Sequence, residues 1–214
     1  MLFWRKIFIS ILCLSFMASA ISSWAEEEIE DLIDIAESKS KIIAVIEGTK
    51  TVTFDLRPNE KVLWSGSKGH LGVFLTDQHF FVISTTLDAW QRLALRIDES
   101  GKGNVSLSPY IALLLTGDRA VGFDASSNRF VEAQLPLHDE LLAAEVERYV
   151  AVVITSSRAF GLAAETSAFH EIILRKNETL EALKLTYSKA TVRTSDRLLT
   201  FESSDTTWKE HKLY

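Results

Sequence analysis

Residues 149–174 read "YVAVVITSSRAFGLAAETSAFHEIIL": hydrophobic runs at 149–154 and 159–164, parted by the polar turn Thr155-Ser156-Ser157-Arg158. Runs this short, rich in β-branched and aromatic residues and broken by turn chemistry, predict strands. Similar stretches occur about forty residues earlier and later. Setting Thr155 in one column with Thr76, Thr116 and Thr194 gives spacings of 40, 39 and 39. Ahead of the four threonines lie "LGVFL", "IALLL", "VAVVI" and the weaker "KATVR". Three residues after each threonine stands a basic side chain, His79, Arg119, Arg158 or Arg197. Eleven further on comes an aromatic, Trp90, Phe130, Phe169 or Trp208, and in the last three copies Glu132, Glu171 or Glu210 two residues later.

A further segment precedes each threonine run with apolar residues at every second place. Leu142, Ala144 and Val146 show it, as do Leu183, Leu185 and Tyr187. Each unit therefore reads as four short antiparallel strands in about forty residues. One such sheet cannot bury both of its faces. Stacking copies around an axis does so without long exposed edges. The expected fold is all-β, a small β-propeller of about four full four-stranded blades plus a partial N-terminal one, hence four- or five-bladed. An open stack, or half of a ring completed by a second copy, is the alternative.

The N-terminal part is less regular. "KIIAVIEG" and "KTVTFDL" read as two strands, with Lys50 set in the basic column, but only 29 residues separate Glu47 from Thr76. Before them, "EEEIEDLIDIAES" puts Ile29, Leu32, Ile33 and Ala36 at helical spacing. Residues 26–41 thus read as an acidic leader or short amphipathic helix, and 42–214 as the repeat domain.

Residues 1–25 read as a secretory signal peptide. Arg5 and Lys6 precede the apolar stretch 7–17, and small residues follow, with cleavage expected after Ala25 or Ala20. The signal holds two basic and no acidic residues, so its removal after Ala25 takes the formal net charge from −6 to −8. That balance argues against nucleic acid and anionic lipid as partners, since both need clustered positive charge. The only cysteine, Cys13, lies in the signal, and the "SIL" before it does not fit a lipid-attachment box. The mature chain then has no thiol, which excludes disulfides, Cys-ligated zinc and thiol catalysis. A periplasmic or extracellular location follows from this reading.

"SSDTTW" (residues 203–208) resembles the sialidase-type Asp-box turn of certain β-propellers. Ser203, Asp205, Thr207 and Trp208 match its residue types, whereas the box glycine is absent and the turn is shorter. The equivalent "ASSNRF" and "AETSAF" keep only the aromatic. The resemblance covers one turn per repeat and implies the fold rather than an activity.

The basic column Lys50, His79, Arg119, Arg158 and Arg197 is the candidate ligand-binding site, because guanidinium groups ringed about an axial opening could hold an anion. The competing reading is structural: each Arg closes a hairpin and pairs with Glu132, Glu171 or Glu210 of its own blade. The aromatic column is read as inter-blade core. No His-x-x-x-His pair, P-loop or Gly-x-Ser-x-Gly elbow occurs, and "DESGKGN" (98–104) departs from a calcium loop at Lys102. No catalytic residue, metal or cofactor is expected. The favoured function is an exported, non-catalytic module binding a protein or cell-envelope component, with room for a homodimer. A protein binding an anionic small molecule or glycan is the alternative, and a sialidase-like enzyme the more distant one.

Overall fold

The apolar runs flanking each column threonine pair as hairpins, and each hairpin gains a strand on either side. The computed structural model describes residues 29–99, 103–166 and 168–213, and they form five antiparallel sheets. Sheet 1 comprises β1 (Ile33–Glu37), β2 (Lys41–Ile46) and β3 (Lys50–Asp55). Sheet 2 comprises β4 (Val62–Lys68), β5 (Leu71–Thr76), β6 (His79–Ser84) and β7 (Gln91–Ala94). In sheet 3 the strands are β8 (Asn104–Leu107), β9 (Ile111–Leu115), β10 (Arg119–Asp124) and β11 (Arg129–Gln134). Sheet 4 holds β12 (Leu141–Glu147), β13 (Val150–Thr155), β14 (Arg158–Ala163) and β15 (His170–Ile173). Sheet 5 holds β16 (Leu180–Thr186), β17 (Lys189–Thr194), β18 (Arg197–Glu202) and β19 (Lys209–Lys212). Four blades of four strands and one of three match the architecture expected from the repeat. Residues 1–25, read from the sequence as a signal peptide, lie outside the described residues.

Neighbouring sheets meet most closely along their first strands, β4 on β8, β8 on β12 and β12 on β16, so these strands line the axis and the sheets fan outward. The two middle strands of sheets 2 to 4 are buried on both faces. Apolar layers fill the gaps between sheets 1 and 2, 2 and 3, 3 and 4, and 4 and 5. Phe74, Phe81, Phe123 and Phe201 are fully buried there, each contributing roughly 2–3 kcal/mol through burial. Glycine sets the closest approach: a Cβ on Gly122 would lie 2.2 Å from Leu162 of the next sheet.

Among the described residues no apolar layer joins sheet 5 to sheet 1, so the blades form an open arc. The terminal faces explain this. Where sheets 2, 3 and 4 present Leu71/Val73/Leu75, Ile111/Leu113/Leu115 and Val150/Val152/Ile154 to the following sheet, sheet 5 presents Lys189, Thr191 and Arg193. Cross-strand pairs such as Lys189 with Glu202 (3.0 Å) keep that face polar, as the end of a stacked array requires.

Sheet 1 corrects two expectations. Ile33–Glu37 is strand β1 rather than part of a helix, so the repeat domain begins before residue 42. Ile33 and Ile35 also alternate with Asp34 and Ala36, and pairing with β2 buries Ile33 completely; the strand period prevails because a partner is at hand. The register then moves Lys50 out of the basic column. Glu37 pairs with Ile42 across a four-residue turn, as Leu75 pairs with Phe80, so Ser38 and Lys41 hold the places of Thr76 and His79. Leu56 N–H closes the sheet on Ser40 O (2.8 Å) as Leu95 does on Gln78 O (2.8 Å). Strands β1, β2 and β3 are therefore the second, third and fourth of a blade, and the axial first strand is the one lacking.

Candidate functional site

Two rims result from this topology, one formed by the turns after second and fourth strands, the other by the turns after first and third strands. The first rim carries the basic column. Each fourth strand is followed by a related turn: Leu56-Arg57-Pro58-Asn59-Glu60, Leu95-Arg96-Ile97-Asp98-Glu99, Leu135-Pro136-Leu137-His138-Asp139 and Leu174-Arg175-Lys176-Asn177-Glu178. Asn59 and Asn177 take positive φ (70° and 67°), which asparagine tolerates, and the acid's N–H turns back to the carbonyl three residues earlier at 3.0–3.1 Å. The acid is thereby delivered beneath the column threonine. Thr76, Thr155 and Thr194 each donate to it at 2.6 Å and Thr116 at 3.0 Å. This acidic column was not anticipated; extending the alignment sixteen or seventeen residues upstream of each threonine would have found it.

The basic residues close these clusters. Arg119 clasps Glu99 through Nε and Nη2, both 2.6 Å from its oxygens, and reaches Glu132 at 2.8 Å through Nη1. Arg197 does the same with Glu178 (2.9 and 3.0 Å) and Glu210. His79 meets Glu60 at 2.8 Å, and Lys50 is held by Leu87 O (2.8 Å) and Asp88. Arg158 differs: Asp139 is one methylene shorter and is engaged by Thr155 and Ser157, so Arg158 pairs only with Glu171 at 2.9 Å and stays partly exposed. Burial raises the Glu60, Glu99 and Glu178 carboxyls, but hydrogen bonds from His79, Arg119 or Arg197, from the threonine and from backbone N–H outweigh it, and all three lie below the usual range. For Arg119, burial pulls the guanidinium down while Glu99 and Glu132 raise it above its ordinary value.

The structure thus places His79, Arg119, Arg158 and Arg197 at the starts of third strands, one to a sheet, rather than on the axial strands. The Glu pairing expected within each blade is present in sheets 3, 4 and 5. The aromatic column lies between blades: Trp90 packs on Phe74 (5.4 Å), and Trp208 packs on Phe201 (5.2 Å) while its Nε1 donates to His170 O of sheet 4 at 2.8 Å.

The second rim carries an arrangement the sequence reading passed over. Six residues before Thr76, Thr116 and Thr155, at the turn between first and second strands, stand His70, Tyr110 and Tyr149, while Ser188 holds that place before Thr194. Their rings stack across three sheets, His70 on Tyr110 at 4.8 Å and Tyr110 on Tyr149 at 4.8 Å. Arg148 continues the row by lying over the Tyr187 ring of sheet 5, 4.6 Å from its centroid. Backbone bonds tie the same turns together, His70 N–H to Pro109 O (3.1 Å) and Tyr149 N–H to Tyr187 O (2.8 Å). Burial, followed by the hydrogen bond with Tyr149, holds the Tyr110 phenol above its usual range, against the opposing charge of Arg148. The row is half-buried, with Tyr187 its exposed end.

Two open grooves lie between sheets 4 and 5, one of about 340 Å³ beside Glu171 and Trp208, the other of about 410 Å³ beside Leu142 and Glu178. Each is lined by one carboxylate, whereas glycoside cleavage by two acids needs a facing pair. Among the described residues no helix is long and apolar enough to cross a membrane.

No protein-family model and no curated protein matches this sequence. Solved structures similar to it include the N-terminal domain of Nup159 (9% identity, TM-score 0.37, 86% of this chain and 60% of that one). Kluyveromyces lactis Hsv2 is similar at 9% identity and TM-score 0.39, over 85% of this chain and 59% of that one. The computationally designed Ika8 protein is similar at 12% identity and TM-score 0.40, over 86% and 63%. This chain thus spans about three fifths of the length of the structures it resembles, and the likeness is one of fold alone.

Proposed function

We propose that this chain is an exported, non-catalytic scaffold that binds a protein or cell-envelope component through the rim bearing His70, Tyr110, Tyr149 and Arg148. Export rests on the sequence pattern of residues 1–25. The observation that carries the binding surface is the ring row itself. Tyr110 and Tyr149 stack with His70 across three sheets and Arg148 lies over Tyr187, and tyrosine and arginine are among the residue types enriched at interface centres. Rings already held by their neighbours lose little further freedom on binding.

The test is capture from the exported fraction with the mature chain as bait, beside a Tyr110→Ser/Tyr149→Ser variant of unchanged circular dichroism. A partner retained by the first and lost by the second supports the reading. Equal retention by both, or no specific partner for either, overturns it.

A further inference from the structure

The interfaces of sheet 3 with 4 and of sheet 4 with 5 share one packing rule. The residue six after the column threonine in one sheet receives the residue seven after it in the next. A Cβ on Gly122 would meet Leu162 at 2.2 Å, and one on Gly161 would meet Phe201 at 2.7 Å. Likewise, the residue four before the threonine sits against those five and three before it in the preceding sheet. A Cβ on Gly72 would meet Ile33 at 2.9 Å and Ile35 at 3.0 Å.

An open arc leaves two faces without a counterpart, and they are opposite halves of this same interface. Sheet 5 offers Thr200 in the receiving place held by Gly122 and Gly161, and sheet 1 offers Val45 in the place of Leu162 and Phe201. Asp34 holds the place of Gly72, while Lys189 and Thr191 hold those of Ile33 and Ile35. The rule therefore sets Asp34 of one face against Lys189 of the other. Lys189 already holds Glu202 at 3.0 Å, but an ammonium has three donors and can share a second carboxylate. The wider charges agree. In an acidic chain, the outer face of sheet 5 carries Lys184, Lys189, Arg193 and Lys209 against Glu181, Glu202 and Asp205, and that of sheet 1 carries Asp34 and Asp55 against Lys41.

We infer that copies of this chain associate head to tail, the outer face of sheet 5 in one copy packing on the outer face of sheet 1 in the next. A contact between unlike faces closes into a ring where the rotation permits and otherwise runs on as a filament. The three strands of sheet 1, about 4.8 Å apart and five or six residues long, cover roughly 15 by 20 Å, less than a standard interface. The association is accordingly weak, reversible and screened by salt.

Sedimentation velocity of the mature chain, from low to high micromolar concentration at low and high salt, tests this. Mass rising with concentration at low salt and falling back at high salt is expected. Asp34→Lys and Lys189→Glu each remove the association alone, because like charges then face one another. Mixing the two variants in equal amounts restores it, since every junction in an alternating array again joins opposite charges. This mixing arm also separates lost attraction from misfolding. A single monomeric species at every concentration in low salt overturns the inference and makes both polar faces simple caps. Association that survives both reversals, or variants that remain monomeric when mixed, overturns it as well.

Discussion

Arg119 grips the Glu99 carboxylate with two nitrogens, its Nε and Nη2 each 2.6 Å from an oxygen, with 4% of the arginine exposed. Removing it strands a buried carboxylate, so Arg119→Met is expected to cost about 3–5 kcal/mol. Arg158 occupies the same column, yet its side chain is 38% exposed and meets Glu171 at the surface. Arg158→Met should therefore cost less than about 1 kcal/mol. Urea unfolding of the two variants beside the parent checks the contrast, and equal losses would contradict the burial argument.

Acid should dismantle the first rim. Hydrogen bonds outweigh burial and hold Glu60, Glu99 and Glu178 below the ordinary carboxylate range. A depressed carboxyl contributes stability that is complete above its unfolded pKa, about 4.3, and is lost as pH falls through the folded value. Urea midpoints should thus hold steady from neutral pH down to about 5 and then drop. Glu99→Gln lowers the midpoint at neutral pH, and its gap from the parent narrows on acidification.

Gly161 belongs to the packing rather than to a turn, since a Cβ there would press on the Phe201 ring at 2.7 Å. Gly161→Ala should cost about 1–3 kcal/mol by overpacking. With Phe201→Leu the two losses should sum to less than their separate values, because the smaller side chain leaves room for the methyl. A double-mutant cycle in urea measures this coupling.

Trp208 reaches across to sheet 4, where its Nε1 donates to His170 O at 2.8 Å, whereas the comparable bond from Trp90 to Val52 O is 3.4 Å long. Trp208→Phe is expected to lose about 1 kcal/mol from the hydrogen bond beyond any change in packing. Trp90→Phe should lose less from this cause. Guanidinium unfolding followed by circular dichroism distinguishes them.

The blades were legible because a column of threonines, basic residues and aromatics recurs wherever the same hairpin must pack against the same neighbour. Sheet 1 was misread where those residues weaken: Ser38 and Lys41 stand in for the threonine and arginine, and Lys50, three residues after Glu47, was set in the basic column instead. The acids Glu60, Glu99, Asp139 and Glu178 escaped because each sits at the end of the preceding turn, outside the unit as the repeat was divided. His70, Tyr110 and Tyr149 escaped for another reason: the place is histidine in one copy, tyrosine in two and Ser188 in the fourth, so only the flat ring of three copies marks it.

Among the described residues, the last sheet does not pack on the first, and an arc of this kind obeys no fixed arithmetic. Closed rings must hold the number of sectors their curvature dictates, whereas here a thirty-nine-residue sector could be gained or dropped and the remaining junctions would be unaffected. The requirement that endures is chemical: whichever sectors come last must wear polar outer sides. Gene duplication could lengthen such a chain freely in the middle, while its two extremities stay under selection of a different kind.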